Sequence, residues 1–458
     1  MDYRIEKDTM GEVRVPVDAY YGAQTARAVE NFPISGLSAD PVFVRATAIV
    51  KYSAAMANME CGVLDSEIGR AVAAAAKEVV DGRWLEQFVV DVYQAGAGTS
   101  HNMNANEVLA NRAIELLGGA RGDYGVVNPN DHVNMSQSTN DSFPSSMRLA
   151  ALMAGREFLE ALALLAESME AKADEFDSVI KSGRTHLQDA VPVRMGQEFG
   201  GYAAALRKGQ ARVATALDSL RSTGLGATAA GTGMNAPEGY KEAAARFMSE
   251  MSGFKIVNSS NLFESTQSMG DFAALSSSLK NLALEVTRIS NDLRLLSSGP
   301  RTGFAEIVLP PVQPGSSIMP GKVNPVMAEA LNMIAFQVCG NDHAVSMATQ
   351  AGQLELNVMM PLINHNVLSS IKILKNGMNV FATKCIDGIT VNEERCREYA
   401  ENTVGLATFL NTSIGYYKAA ELSKEALQKG VTIRRLVVEK GMLSEEEVEK
   451  LFHINSLT

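Results

Sequence analysis

The chain has 458 residues, 46% of them apolar and 20% charged, the balance of a globular protein with a sizeable core rather than a disordered one. Its net charge of −11 lacks the basic excess that marks nucleic-acid binders. No run of about 18 apolar residues predicts a membrane span, and the charged start at Asp2, Arg4, Glu6 and Lys7 predicts no signal peptide. Cys61, Cys339, Cys385 and Cys396 are widely spaced and form no C-x-x-C pair, so free thiols and a cytoplasmic location are expected.

Residues 1–45 carry Gly11, Pro16, Gly22, Pro33 and Gly36 and predict irregular backbone with at most a short hairpin. An Ala-rich, Gly-poor stretch from 42 to 78 predicts two helices. Residues 102–118 predict another, stopped by Gly118-Gly119, and Gly122 to Asp131 predicts a loop. Leu159, Leu162, Ala166, Met169, Ala173, Phe176 and Ile180 recur at spacings of three and four. Phe272, Leu275, Leu279, Leu282, Val286, Ile289, Leu293 and Leu296 do the same, up to Gly299-Pro300. Residues 196–222 and 325–376 carry less regular versions of the pattern. Sustained stripes of this kind predict long helices side by side, flanked along their length by one another or by another subunit. Strand signals are scarce. From 391 onward shorter helical pieces are expected, one of them capped by Ser444 with Glu447 three residues later. The expected division is 1–138, 139–390 (the long-helix bundle) and 391–458.

There is no GxGxxG fingerprint, Walker loop or HExxH helix. His101, His132, His343, His365 and His453 show no metal-ligand spacing, so no metal site and no organic cofactor are expected. Polar chemistry gathers instead in four short stretches. The segment from Gln313 to Val326 combines Ser316, Ser317, Lys322 and Asn324 with prolines that forbid a helix and glycines that expose backbone N–H groups. It reads as a structured loop leading into a helix, suited to an anion or to simple solvation. Gly96 to Asn102 places Thr99 and Ser100 where helix caps sit. Ser138, Thr139, Asn140 and Asp141 are four capping residues where one would serve. Ser182 to Ala190 holds Arg184, Thr185, His186, Gln188 and Asp189 in a polar loop.

Together these segments resemble the aspartase/fumarase superfamily. Gly315-Ser-Ser-Ile-Met-Pro-Gly-Lys-Val-Asn-Pro325 is similar to its signature loop, and the likeness runs from Tyr20-Tyr-Gly22 to the C-terminal helices. The resemblance implies a mainly α-helical, elongated three-domain protomer with a central five-helix bundle. Four protomers would build a 20-helix core, with each active site shared by three subunits. Within the family, Gly96-Ala-Gly-Thr-Ser100, Ser138-Thr-Asn-Asp141 and Gly352-Gln-Leu-Glu-Leu-Asn-Val-Met359 resemble the branch that eliminates ammonia from L-aspartate to give fumarate. Asp8 to Pro16 and Glu30 to Gly36 look more like the class II fumarate hydratases, and Met360 stands where the ammonia-lyase branch usually has Glu. The ammonia-lyase reaction is the expectation, with hydration of fumarate to L-malate as the alternative. By resemblance, Ser316 and His186 are the catalytic residues, with Ser316 as the base. Thr99, Ser138, Thr139, Asn140, Thr185, Lys322 and Asn324 hold the substrate, and His186 contacts it with Glu329 in support. A divalent cation activates some relatives, but no residues here mark its site.

Overall fold

The computed structural model describes residues 2–452. The His453 mentioned above lies outside them. The chain is mainly helical, as expected. Its strands pair into four two-stranded sheets and nothing larger among the described residues.

The N-terminal hairpin joins β1 (Tyr3–Asp8) to β2 (Gly11–Pro16) in antiparallel register. It is followed by α1 (Ala23–Asn31), where irregular backbone was expected. The reason is non-local: Gly22 offers α1 no side-chain cap, and Glu107 does the capping. Its carboxylate accepts from the backbone N–H groups of Gly22, Gln24 and Thr25 at 2.8, 2.9 and 3.1 Å.

Helices α2 (Pro41–Glu60) and α3 (Ser66–Val80) match the predicted pair, capped by Asp40 and Asp65. With α4 (Thr99–Leu116) they enclose an alanine-rich core in which Val72, Ala75, Val108 and Leu109 are fully buried. Small side chains let these helices approach closely.

Helix α5 (Thr139–Glu175) carries the first predicted stripe but ends before Ile180, which opens the hairpin β3 (Ile180–Thr185) and β4 (Gln188–Arg194). Then come α6 (Met195–Ser219), β5 (Ser222–Thr223), α7 (Tyr240–Ser252), β6 (Val257–Asn258) and α8 (Leu262–Gln267). Helix α9 (Gly270–Leu296) buries all eight residues of the second stripe. The 325–376 pattern resolves into α10 (Val326–Gln350) and α11 (Met360–Lys384), parted by residues 351–359. The short strands β7 (Ile307–Val308) and β8 (Thr390–Val391) pair with each other. The remaining helices are short, and the last, Glu445–Leu451, has the predicted capping box of Ser444 and Glu447. All four cysteines are free. Among the described residues no helix is long and apolar enough to cross a membrane.

By packing, the chain forms two compact units. The first comprises Met1–Leu159, Ala211–Asn281 and Phe336–Leu374, and the second Glu160–Gln210, Leu282–Ala335 and Lys375–Thr458. Each contains part of the predicted site.

Candidate active site

In the first unit the backbone at Gly96, Ala97 and Gly98 is left-handed at three successive residues, with φ of 76°, 56° and 93°. A Cβ on Gly98 would collide with the Phe143 ring, so only glycine fits. This turn sets Thr99 as the first residue of α4. It does not cap the helix, contrary to the simplest reading of its position. Its hydroxyl donates to the Gly96 carbonyl at 2.6 Å and lies 3.2 Å from Thr139 Oγ1, within hydrogen-bond distance. Thr139 Oγ1 also accepts from Asn102 Nδ2 at 3.2 Å. Ser138, Thr139 and Asn140 thus form the N-terminal turn of α5, directly against Thr99. Ser138 Oγ accepts from the Asn140 N–H at 3.2 Å, and Asn140 Nδ2 donates to Ala229 O at 2.8 Å.

Beneath this turn lies a buried polar layer, of which the sequence marked Asp141 only as a capping residue. Asp141 is 1% exposed and accepts from the N–H groups of Ser138, Gly226 and Thr228 at 2.9, 3.0 and 2.9 Å. Burial pushes its carboxyl up to about 6, against those three donors. Lys51 is fully buried and donates to Asn134 Oδ1 at 3.1 Å and Gln137 Oε1 at 3.0 Å. Burial brings its ammonium down to about 7. Asn134 Oδ1 accepts further from Asn102 and Asn106, each at 3.1 Å. Residues 134–141 are therefore held from below. The signal for Lys51 was in the sequence, a single charge within the apolar run Ala46 to Ala55. The turn at Gly226–Thr228 carried none, because backbone N–H groups leave no trace in a residue pattern.

The second unit holds the other candidates. Thr185, His186, Leu187 and Gln188 form the tip of the β3–β4 hairpin, with Thr185 paired to Gln188. The loop expected here is a two-residue turn. Its central residues, His186 and Leu187, have φ of 55° and 60°, where glycine or asparagine is the norm. Each costs of the order of 1 kcal/mol or more. The hairpin is pinned one residue back. Arg184 donates to both carboxylate oxygens of Glu306 at 3.0 and 2.9 Å, and its guanidinium lies 4.3 Å from the Phe304 ring centre. Glu306 has no exposure and also meets Lys181 at 3.3 Å. Thr185 and His186 themselves are exposed.

The loop at 313–326 is structured, as its prolines and glycines predicted. Gly315 N donates to Lys322 O at 2.8 Å, and Asn324 Nδ2 donates to Gly315 O at 2.7 Å. Ser316 Oγ accepts from the N–H groups of Ile318 and Met319 at 3.2 and 3.0 Å. Donors aimed at a hydroxyl oxygen stabilise its deprotonated form. Lys322 is exposed and has no ion-pair partner among the described residues. Glu329, in the first turn of α10, is exposed and makes no hydrogen bond or ion pair with His186. Among the described residues no three His, Cys, Asp or Glu side chains gather as metal ligands.

The candidate groups are hydroxyls, amides, a free ammonium and strained loop backbone; buried groups brace residues 134–141 and the β3–β4 hairpin, and the Ser316 loop is closed by its own hydrogen bonds. Residues 11–340 match the family model described as lyase, and residues 406–458 match that of the fumarase C C-terminus. The chain belongs to this lyase family. Aspartate ammonia-lyase from a Bacillus species is 48% identical to it over 100% of this chain and 98% of the relative. The Escherichia coli K12 aspartate ammonia-lyase is 46% identical over 99% and 96%. Among solved structures, a fumarate lyase:delta crystallin from Brucella melitensis bound to cobalt is 49% identical, with a TM-score of 0.96 and 98% of both chains covered. A class II fumarase from Schistosoma mansoni is 36% identical at a TM-score of 0.95, covering 98% of this lyase and 99% of the fumarase. The superfamily likeness and the helical fold drawn from the sequence both hold.

Proposed function

We propose that this lyase is an aspartate ammonia-lyase, releasing ammonia from L-aspartate to give fumarate. The Ser316 loop, whose hydroxyl oxygen already accepts two backbone N–H groups, supports proton removal beside a carboxylate. The choice of ammonia as leaving group rests on Ser100, Thr139 and Gln353 and on the 46–48% identity to aspartate ammonia-lyases over the whole chain. The difficult step removes a proton from the carbon beside a carboxylate that is already anionic. The electron pair moves into that carboxylate, so donors around the resulting dianion are the main requirement. The C–N bond then breaks and the ammonium, already protonated, leaves as ammonia. The substrate's own carboxylate holds the electrons, so the proposal needs no organic cofactor, and divalent-cation activation is left without a site.

In this reading Ser316 is the base. Thr99, Ser138, Thr139, Asn140, Thr185, Lys322 and Asn324 hold the carboxylates and the amino group. His186 contacts substrate. Since Glu329 makes no contact with it within one chain, we place their pairing across subunits. A homotetramer with sites shared among three subunits, built on central five-helix bundles, supplies those neighbours. The three-part division at 138/139 and 390/391 and a cytoplasmic location belong to the same proposal. The partner is a small dicarboxylate, not nucleic acid or membrane.

The test is to follow fumarate absorbance with L-aspartate and L-malate side by side. Fumarate and ammonia from L-aspartate are expected. Fumarate from L-malate alone would establish the hydratase reading, which the 36% identity to the Schistosoma fumarase keeps in view.

A further inference from the structure

The first unit contains a cavity of about 370 Å³ between the segment 36–43 and α11. None of the residues proposed to hold substrate lines it. Its floor is apolar, made by Phe43, Val92, Phe143 and Leu368. Part of its polar wall has no protein partner. Asn364 is only 9% exposed, yet its side-chain amide makes no hydrogen bond among the described residues. The hydroxyls of Ser38 and Ser369, which also face the cavity, are likewise without side-chain partners there. The Asn364 amide opens onto the cavity, where it can bond water or a ligand.

The charges narrow the class. One anion and one cation sit on the wall, Asp40 and Lys372, with Lys372 Nζ 3.1 Å from Asp40 Oδ2, beside the His365 imidazole, which burial holds towards its neutral form. Asp40 Oδ1 is engaged by the Val42 N–H at 3.0 Å as the cap of α2, which fixes the carboxylate in place. A phosphate or a dicarboxylate would find a single cation, already paired. A divalent metal would find a single carboxylate. A zwitterion can insert into the ion pair, giving its ammonium to Asp40 and its carboxylate to Lys372, Asn364 and Ser369. The volume takes about a dozen groups of water size at roughly 30 Å³ each, and the ring floor suits an aliphatic body.

We propose that this cavity is a binding site for an α-amino acid with an apolar side chain, separate from the catalytic site. The half-exposed Asp40–Lys372 pair contributes little by itself and exchanges readily for ligand groups.

The test uses the full-length protein and L-leucine as the probe, by titration calorimetry and ligand-observed NMR. Saturable millimolar or tighter binding is expected, unchanged by saturating fumarate and by Ser316→Ala. Isopentylamine and 4-methylpentanoate, which each lack one charged group of leucine, are expected to bind about tenfold more weakly, the worth of one charge-assisted contact. Lys372→Met and Asn364→Leu should weaken L-leucine by a similar factor, with unfolding temperatures showing that the variants fold. Absence of saturation by L-leucine overturns the proposal. So does displacement by fumarate, or equal affinity for leucine and both analogues, a comparison that stands on the unmutated protein should either variant misfold.

Discussion

Ser316 and Lys322 occupy one loop but carry different expectations. Removing the Ser316 hydroxyl deletes the proposed base while leaving the loop's two other closures, Gly315 N to Lys322 O and Asn324 Nδ2 to Gly315 O, intact. Ser316→Ala should therefore lower kcat by at least about 100-fold with the fold retained, the usual reach of a positioned proton-transfer group. Near-normal turnover would remove Ser316 from that role. Lys322→Ala takes away the loop's free ammonium, and KM should rise more than kcat falls; steady-state kinetics with L-aspartate separate the two. His101 carries a stability prediction. It is buried against the Phe43 ring at 4.5 Å, and burial brings its imidazole down to about 3 from 6.5. A depressed basic group contributes stability that is full above its ordinary value and is lost as pH falls towards the folded one. Below pH 6.5 its contribution should fall with each unit of acidification, because only the unfolded chain takes up the proton there. Asp141 acts oppositely there, because its carboxyl, raised to about 6, adds stability as pH falls from 6 towards 3.8. His101→Leu should flatten the acid-side fall in unfolding temperature relative to the unmutated protein, and an unchanged slope would count against the buried neutral imidazole.

The β3–β4 hairpin shows why elements were harder to read than residues. Arg184, Thr185 and His186 were all visible as polar residues in a Gly-punctuated stretch. Yet the element they form depends on Glu306, 122 residues further on, which holds Arg184 through two hydrogen bonds. From the other side Thr403 Oγ1 donates to Ala190 O at 3.0 Å, and a Cβ on Gly405 would strike that same carbonyl. The strained His186–Leu187 turn persists because its base is fixed at both edges. Arg184→Ala leaves Glu306 buried with only Lys181 opposite, which should cost on the order of 3 kcal/mol, read from denaturant unfolding. It should also raise KM through the displaced tip, whereas Arg184→Lys should recover part of the stability but less of the KM, since an ammonium lacks the planar group that stacks on the Phe304 and Tyr399 rings. Helix α1 teaches the same lesson, since its cap, Glu107, comes from α4.

For the whole molecule, α10 is the informative helix. One face packs inward through Leu331, Ala335, Val338 and Val345, while Met333 and Phe336 on another face remain 59% and 62% exposed in the single chain, with Met347 further along at 52%. Apolar side chains at heptad spacing on a long helix call for a partner helix. Met333→Glu with Phe336→Glu should reduce the assembled mass in light scattering and abolish activity along with it. Full activity as a monomer would refute shared sites. The long helices, the capping box at Ser444 and the chemistry of the Ser316 loop were legible in the amino-acid order, because periodicity, capping and proline placement act over a few residues. The superfamily likeness was legible for the same reason, being written in contiguous motifs. What only folding decided are contacts between distant segments: the layer of Asp141 and Lys51 beneath residues 134–141, the clamp of Glu306 on Arg184, and the unbonded Asn364 in its cavity. Burial and pairing across a hundred residues depend on which surfaces meet, and no local pattern records that.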